Sequence, residues 1–228
     1  MLRTIIERLS RDRKIRRTLP NGVPIYVTPD SQLKYLKPEF DLDLVRLAAE
    51  RVDAQSAVWD IGANCGVFAF SARHARQVVA VEADPFLCSL LQRSVAMNGA
   101  PVAIVTAAAF SSAGLAEFSI AARGRASNFL TSVGGRSQTG GERGRLMVPT
   151  IRLDDLLAYF SPPTFVKVDV EGAETEVLRG ATQILRDARP VFYLEVGSDT
   201  ADACEAILRT ANYRIDRGTQ MNWLAEPA

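Results

Sequence analysis

Apolar residues along the chain form short continuous runs, which alternate with stretches where apolar positions recur three or four residues apart. Continuous runs of this length are typical of buried strands, and the second spacing is typical of amphipathic helices. We predict strands at residues 57–61, 77–82, 102–108, 115–120, 146–151, 165–170, 191–196, 213–216 and 222–225. We predict helices at residues 65–75, 85–98, 153–160, 171–188 and 201–211. This order indicates an α/β fold with a doubly wound, parallel sheet and helices on both faces.

Two segments interrupt the alternation. Residues 1–56 precede it, and we predict an N-terminal helical extension with a helix near 41–52, packed on the core domain of residues 57–228. Residues 121–145 contain six glycines and few apolar residues, which predicts a long loop. Such loops in compact domains are either lids over binding sites or disordered. If this loop is a lid, its candidates for binding an acceptor are Arg123, Arg125, Ser127, Asn128 and Arg136.

Bulk composition narrows the classes of function. The 228 residues carry a net charge of +1, which gives no general affinity for nucleic acid or membranes. The three cysteines, Cys65, Cys88 and Cys204, form no CxxC pair, which argues against a zinc site and favours the reducing cytoplasm. No stretch approaches the roughly 18 apolar residues of a membrane span, so we expect no integral membrane association.

The first twenty residues depart from this neutral balance, with seven basic and two acidic residues. We predict a solvated helix that frays at its end. The alternative is a basic surface that docks on an acidic partner or on a membrane surface.

Carboxylates lie at the ends of four predicted core strands. Asp60 and Glu82 belong to the first two strands, Asp169 and Glu171 follow a later one, and Glu195 lies near the end of the next. Parallel strands end on one edge of their sheet, and ligands of such sheets bind at that edge. The sequence therefore predicts an acidic ligand site at the carboxyl edge.

The turn GANCG, residues 62–66, and the acid that follows it indicate a ligand. Glu82 lies twenty residues after Gly62, an offset at which an acid can accept hydrogen bonds from both ribose hydroxyls. The turn lacks the third glycine of a dinucleotide site, and Asp60 would repel a pyrophosphate but suits an ammonium group. A ligand with a ribose, an amino-acid end and no phosphate is S-adenosylmethionine. The alternative is a purely structural turn with a capping acid.

The stretch FVKVDVEGAE, residues 165–174, places charged residues inside a predicted core strand. Strand alternation puts Lys167 and Asp169 on one face and the valines on the other. A buried lysine needs a partner, and we expect Asp169 to be that partner. A structural interpretation adds Asp169 as helix cap, with Glu171 and Glu174 stabilised in the first helical turn. A functional interpretation places Asp169 and Glu171 where the ligand reacts.

Five stretches together carry a family resemblance: DIGANCG (60–66), VEADP (81–85), IRLDDLL (151–157), FVKVDVEGAETEVLRGA (165–181) and RPVFYLEV (189–196). Over residues 57–215 the chain resembles the FkbM family of S-adenosylmethionine-dependent methyltransferases. The resemblance implies a class I methyltransferase fold, which is Rossmann-like with a mostly parallel seven-stranded sheet. It also implies O-methylation, often of sugars or polyketide-type natural products.

The resemblance assigns roles residue by residue. The residues at the positions of the family's cofactor site are Asp60, Gly62, Ala63, Asn64, Gly66, Glu82, Ala83 and Asp169. The residues that match its reaction side, and are the catalytic candidates, are Lys167, Asp169, Glu171 and Glu195. Ala83 departs from the family, which often has proline there, and alanine should be tolerated beside the adenine.

Methyl transfer to a hydroxyl requires in-line positioning and removal of the acceptor's proton. The one histidine, His74, falls at the end of the first predicted helix and away from the strand ends, which leaves carboxylates as bases. Asp169 or Glu171 could serve, although Lys167 would oppose this for Asp169. Alternatively, Asp169, Glu171 and Glu195 could bind Mg²⁺, which would activate the acceptor.

The preferred function is O-methylation of a small hydroxylated acceptor, with S-adenosylhomocysteine as the second product. The alternative is a non-catalytic S-adenosylmethionine-binding module for assembly or sensing, which would be expected to lack the strand-end acids. A nucleic-acid methyltransferase would carry a broad basic face and an NPPY- or DPPY-like motif where this chain has DVEG (169–172). The acceptor and the metal stay open, and a homo-oligomer is compatible with the sequence.

Overall fold

The computed structural model describes residue 6 and residues 9–135, 139–218 and 221–228. Arg3 and Arg8, two of the seven basic residues near the N-terminus, lie outside the described residues, as does the lid candidate Arg136. The strands are β1 (Ile15–Thr18), β2 (Pro24–Val27), β3 (Ala57–Ile61), β4 (Gln77–Glu82), β5 (Val102–Thr106), β6 (Ala108–Ala109), β7 (Gly114–Ala121), β8 (Phe129–Leu130), β9 (Glu142–Ile151), β10 (Phe165–Val168), β11 (Val191–Glu195), β12 (Tyr213–Arg217) and β13 (Asn222–Pro227). The helices are α1 (Leu42–Arg51), α2 (Val67–Ser71), α3 (Pro85–Asn98), α4 (Leu153–Leu156), α5 (Glu174–Arg179) and α6 (Ala201–Thr210).

Seven strands form the central sheet in the order β12-β13-β11-β10-β3-β4-β5. The five strands from β11 to β5 are parallel, and only β13 runs antiparallel to its neighbours. The predicted mostly parallel seven-stranded sheet is therefore confirmed. In this order β3 and β10 lie side by side at the centre, so their carboxyl ends meet.

The central strands are buried because helices cover both of their faces. Alternate residues enter opposite cores: Val58 and Val78 pack on one side, whereas Trp59 and Val79 pack on the other. A strand buried on both faces has no polar face, which is why its sequence is a continuous apolar run. No helix within the described ranges has the length and apolar character that a membrane crossing requires.

The N-terminal segment contains more than helix. Its helix α1 lies where a helix near 41–52 was predicted, but residues 15–18 form strand β1, paired antiparallel with β2. The prediction of a helix there is wrong, because this stretch alternates between half-buried and exposed residues, as a strand with one covered face does. Ile25 and Val27 of β2 pack in the same core as Phe68 and Leu90. The segment therefore shares a hydrophobic core with the sheet.

A second sheet extends into the segment predicted as a long loop. Its order is β6-β9-β7-β8, and β7 and β9 pair antiparallel. Phe118, Ile120, Leu130 and Val148 form its small core. The loop prediction for 121–145 is wrong where β7, β8 and β9 extend into it and where a 3₁₀ turn forms at Arg125–Ser127. The strands predicted at 115–120 and 146–151 are confirmed within β7 and β9, whereas the extension of β9 back to Glu142 was not predicted because residues 142–145 are charged or glycine.

The helix predicted at 171–188 is broken into two parts. Glu171 and Gly172 have positive φ angles of 53° and 109°, so α5 begins only at Glu174. It ends at Arg179, and a π turn follows at Ile184–Ala188. At the break, a Cβ on Gly180 would lie 2.2 Å from the Phe110 carbonyl oxygen, so the chain there approaches neighbouring backbone closely. The helices predicted at 65–75 and 153–160 are likewise shorter, as α2 and α4.

Candidate active site

The glycine turn after β3 contacts two other strand ends. Gly62 has a φ of +76°, and a Cβ there would lie 1.9 Å from the Asp169 carbonyl oxygen. Only glycine permits this approach of the β3 turn to the end of β10. The backbone N–H groups of Gly62 and Ala63 both donate to the Val81 carbonyl, at 2.9 and 3.0 Å. Gly66, in contrast, makes room for Leu91 behind the turn.

Asp60 is fully buried under this turn, and its carboxylate is engaged within the protein. One oxygen accepts from the Ala69 backbone N–H at 3.0 Å, and the other accepts from Lys167 Nζ at 3.1 Å. Lys167 lies 3.8 Å from Asp169, so its main partner is Asp60 rather than the expected Asp169. The reason is register, because Lys167 and Asp60 are direct partners across β10 and β3.

Two carboxylates govern the charge on Lys167. Burial alone would lower the pKa of Lys167, but Asp60 and Asp169 outweigh it and hold the pKa above its usual value. Lys167 therefore stays a cation that joins the two strand ends. Asp60 stabilises the turn from below, with one hydrogen bond to each of its oxygens.

Glu82 ends β4 with its carboxylate fixed by two backbone donors. One oxygen accepts from the Asn64 N–H at 2.7 Å and the other from the Asp84 N–H at 2.8 Å. Burial raises the pKa of Glu82 to about 7, against the effect of these hydrogen bonds. The side chain is held rigidly and changes its charge near neutral pH.

A narrow cleft of about 590 Å³ opens above Glu82. Its walls are mostly apolar, and Ala83 and Leu87 lie beside the acid. The remaining walls come from the alanines after β5 and from the second sheet, with Asn64, Asp169 and Glu171 at one end. Concave, mostly apolar clefts with a few fixed polar groups are typical of cofactor sites.

A wider cleft of about 950 Å³ adjoins the narrow one and is polar. Asn64, Ala126, Asp169 and Glu171 line both clefts, so the two share a wall. In the wide cleft, carboxylate oxygens of Asp169, Glu171 and Glu195 lie within 4.8 Å of one another, and the three residues are half-buried. The predicted convergence of these acids at one edge is confirmed.

The acids after β10 have three different roles, and Asp169 is not the predicted helix cap, because Ala173 is the N-cap residue of α5. Glu171 lies before α5 in the left-handed region and faces the clefts. Glu174 is fully buried, accepts from the Gly172 N–H at 2.9 Å and from the Thr200 hydroxyl at 3.0 Å, and so connects α5 to the α6 loop. Glu174 therefore lies in the first turn of α5, as predicted, whereas Glu171 precedes the helix. His74, as predicted, is exposed, and its Nε2 lies 2.9 Å from the Val52 carbonyl oxygen.

Arg125, a predicted acceptor contact, has a structural role in which all three guanidinium nitrogens donate to aspartates. Its guanidinium donates to Asp30 at 2.8 Å, to Asp84 at 2.7 Å and to Asp12 at 2.8 Å. The Asn128 side-chain amide also donates to Asp84, at 2.9 Å, and its Oδ1 accepts from the Ala121 backbone N–H. Both residues hold the 3₁₀ turn over the narrow cleft.

A second arginine, Arg143, adds to these contacts around the 3₁₀ turn. Arg143 binds Asp30 through two nitrogens at 2.7 and 2.8 Å. Burial alone would raise the pKa of Asp30, but Arg143 and Arg125 outweigh it and keep the pKa below its usual value. Of the other lid candidates, Ser127 lines the wide cleft, whereas Arg123 packs along Gly140.

The partners in these contacts were not predicted from the sequence. Asp84 had a local signal, because an aspartate before Pro85 is a typical helix cap, and it accepts from the Phe86 N–H at 2.8 Å. Asp30 and Arg143 lie 113 residues apart and have no signal of this kind. Further lining residues of the wide cleft that were not predicted are Gln32, Lys34, Asp41, Tyr193 and Asn222.

Known proteins share this sequence pattern. The family model described as Methyltransferase FkbM domain matches residues 60–215. Hexuronic acid methyltransferase AglP of Haloferax volcanii is 29% identical over 182 residues, which cover 77% of this chain and 72% of that protein.

Solved structures share the fold. A methyltransferase FkbM from Methylobacillus flagellatus KT superposes with a TM-score of 0.52 at 18% identity, over 77% of this chain and 44% of that one. The T. thermophilus 16S rRNA N2 G1207 methyltransferase, solved with AdoMet and guanosine, superposes with a TM-score of 0.55 at 14% identity. The match covers 95% of this chain and 50% of that one. This chain thus spans half or less of these two proteins, and the likeness confirms the class I fold.

Proposed function

Because the chain belongs to the FkbM methyltransferase family, we propose that it transfers the methyl group of S-adenosylmethionine to an oxygen of a sugar acceptor. One observation carries this proposal. Asp169 and Glu171 line both the narrow cleft and the wide cleft, so a cofactor in one and an acceptor in the other would meet at these carboxylates.

The narrow cleft fits the nucleoside of the cofactor. Each Glu82 oxygen accepts one backbone N–H and retains a lone pair for a ribose hydroxyl. Ala83 and Leu87 offer an apolar wall for an adenine ring. When bound, the cofactor would supply an electrophilic sulfonium methyl group.

The wide cleft suits a hydroxyl-rich acceptor. Its lining is largely polar, with hydroxyl, amide and carboxylate groups from Ser127, Asn222 and Glu195. The relative from Haloferax is a hexuronic acid methyltransferase, which supports a sugar as the acceptor class. In this arrangement Asp169 accepts the proton of the acceptor hydroxyl, and Lys167 and the backbone contact with Gly62 hold Asp169 in place.

The direct test is a transfer assay with isotopically labelled S-adenosylmethionine and a panel of free and nucleotide-linked hexoses, aminohexoses and hexuronic acids. Mass spectrometry should find one added methyl group on at least one sugar, equally with chelator and with Mg²⁺. Activity only with Mg²⁺ would indicate that the three carboxylates bind a metal ion and that Asp169 does not act as the base. Cofactor binding without transfer to any sugar would favour a non-catalytic module.

Adenosine binding should weaken as the pH falls through 7. The pKa of Glu82 is about 7, so this carboxylate is ionised above neutral pH and accepts hydrogen bonds from the ribose best in that form. If only the ionised form binds, the dissociation constant should rise about tenfold from pH 8 to pH 6. Calorimetric titration measures this directly.

The control for this prediction is Glu82→Gln, which cannot titrate. Its adenosine affinity should be weaker and independent of pH over the same range. A wild-type affinity that stays constant from pH 8 to pH 6 would contradict a role for Glu82 in binding the ribose.

A further inference from the structure

Gln32 has a buried amide oxygen without a hydrogen-bond donor among the residues that the structure describes. Gln32 belongs to the N-terminal extension and lines the wide cleft. Gln32 also lines a smaller recess of about 340 Å³, together with Lys34, Asp41, Gly62 and Asp169. An amide oxygen withdrawn from water without a donor costs about 1–3 kcal/mol, so the site favours a ligand that supplies one.

The position of Gln32 is set by the folded extension. The Ser31 hydroxyl donates to the Asn64 side-chain oxygen at 2.8 Å, which ties the segment to the glycine turn. The Gln32 carbonyl accepts from the Tyr35 N–H at 3.2 Å, and the Tyr35 ring packs edge-on against Phe40 at 5.2 Å. Gln32 therefore lies on a built wall of the recess.

The recess has the chemistry of a site for an amino acid. Its charged groups are arranged in pairs: Lys34 with Asp41, and Lys167 with Asp60 and, more distantly, Asp169. Such alternating charges suit a zwitterion, which carries an ammonium and a carboxylate on one carbon. Asn64 and Asp169 belong to this recess and also to the narrow cleft. A ligand in the narrow cleft can therefore extend into the recess.

We propose that Gln32 binds the amino-acid end of the cofactor, with Oε1 accepting a hydrogen bond from the α-ammonium group. This assignment rests on the proposed use of S-adenosylmethionine. Asp60 also lines the recess and already accepts from Ala69 and Lys167, so Gln32 is an additional acceptor for the ammonium group there. The N-terminal extension is then part of the cofactor site and not only a cover for the core.

The test compares two ligands on a Gln32→Met variant of the full chain. S-adenosylhomocysteine carries the amino-acid end, whereas 5′-methylthioadenosine has the same nucleoside and sulfur without it. Gln32→Met should weaken S-adenosylhomocysteine about tenfold or more, as expected for loss of a hydrogen bond to a charged group. Binding of 5′-methylthioadenosine should change less than about twofold, within the spread of surface substitutions.

The matched control is Gln92→Met, the same replacement at an exposed position on α3, which should leave both affinities unchanged. Binding of 5′-methylthioadenosine also reports that the Gln32→Met variant has folded. Equal loss of both ligands, or loss of neither, would overturn the role of Gln32. If the wild-type protein binds neither ligand, the cofactor proposal itself fails, and that result is distinct from a defect of the variant.

Discussion

Asp169→Asn should reduce methyl transfer at least about 100-fold, because asparagine keeps the shape of the side chain but cannot accept a proton. Affinity for S-adenosylhomocysteine should stay within about threefold, since the backbone contact of Asp169 with Gly62 does not depend on the carboxylate. The side chain is one-third exposed and 3.8 Å from Lys167, so the substitution leaves no deeply buried charge unpaired. Turnover with a methylated sugar and calorimetric binding give the two measurements.

A matched control for this experiment is Asp202→Asn, at an exposed position in the first turn of α6. Turnover of this control should equal that of the wild type. Near-normal turnover of Asp169→Asn would remove Asp169 as the base. The neighbouring Glu171 and Glu195, whose oxygens lie within the same 4.8 Å cluster, would then be the next candidates.

The sequence predicted best where burial dominates. The strands β3, β4 and β11 lie within one residue of their predicted bounds. For β3 and β4 the reason is that both of their faces are covered, which gives a nearly continuous apolar run. The same topology explains why the strand-end acids could be predicted to converge. Parallel strands end on one edge, so Asp169 and Glu195 meet although 26 residues separate them.

Prediction failed where distant partners decide the structure. Local glycine content predicted a loop in residues 121–145, but pairing with β7 extends strand β9 back from the predicted residue 146 to Glu142. Arg125 was predicted to contact an acceptor because the neighbouring sequence gives no sign of its partner Asp30, which lies 95 residues away. Lys167 was matched with Asp169 by sequence proximity, whereas the register of β3 gives it Asp60.

Lys167→Met should destabilise the protein by about 3–5 kcal/mol, because it leaves the Asp60 charge buried with a single backbone donor. The side chains of Lys167 and Asp60 are 5% and 1% exposed, so water cannot replace the lost partner. Urea unfolding should show a lower midpoint for Lys167→Met than for the wild type.

The double variant Asp60→Asn/Lys167→Met separates charge from packing. It removes the unpaired charge that Lys167→Met creates, so it should regain most of the lost stability, although a buried amide remains in place of the carboxylate. Additive losses from the two substitutions would contradict a coupled pair, as would a Lys167→Met variant with the midpoint of the wild type. Turnover of the double variant then tests the catalytic prediction for Lys167. If Lys167 acts only by joining the ends of β3 and β10, a folded double variant should retain methyl transfer, whereas a lysine needed for the reaction would leave it stable but inactive.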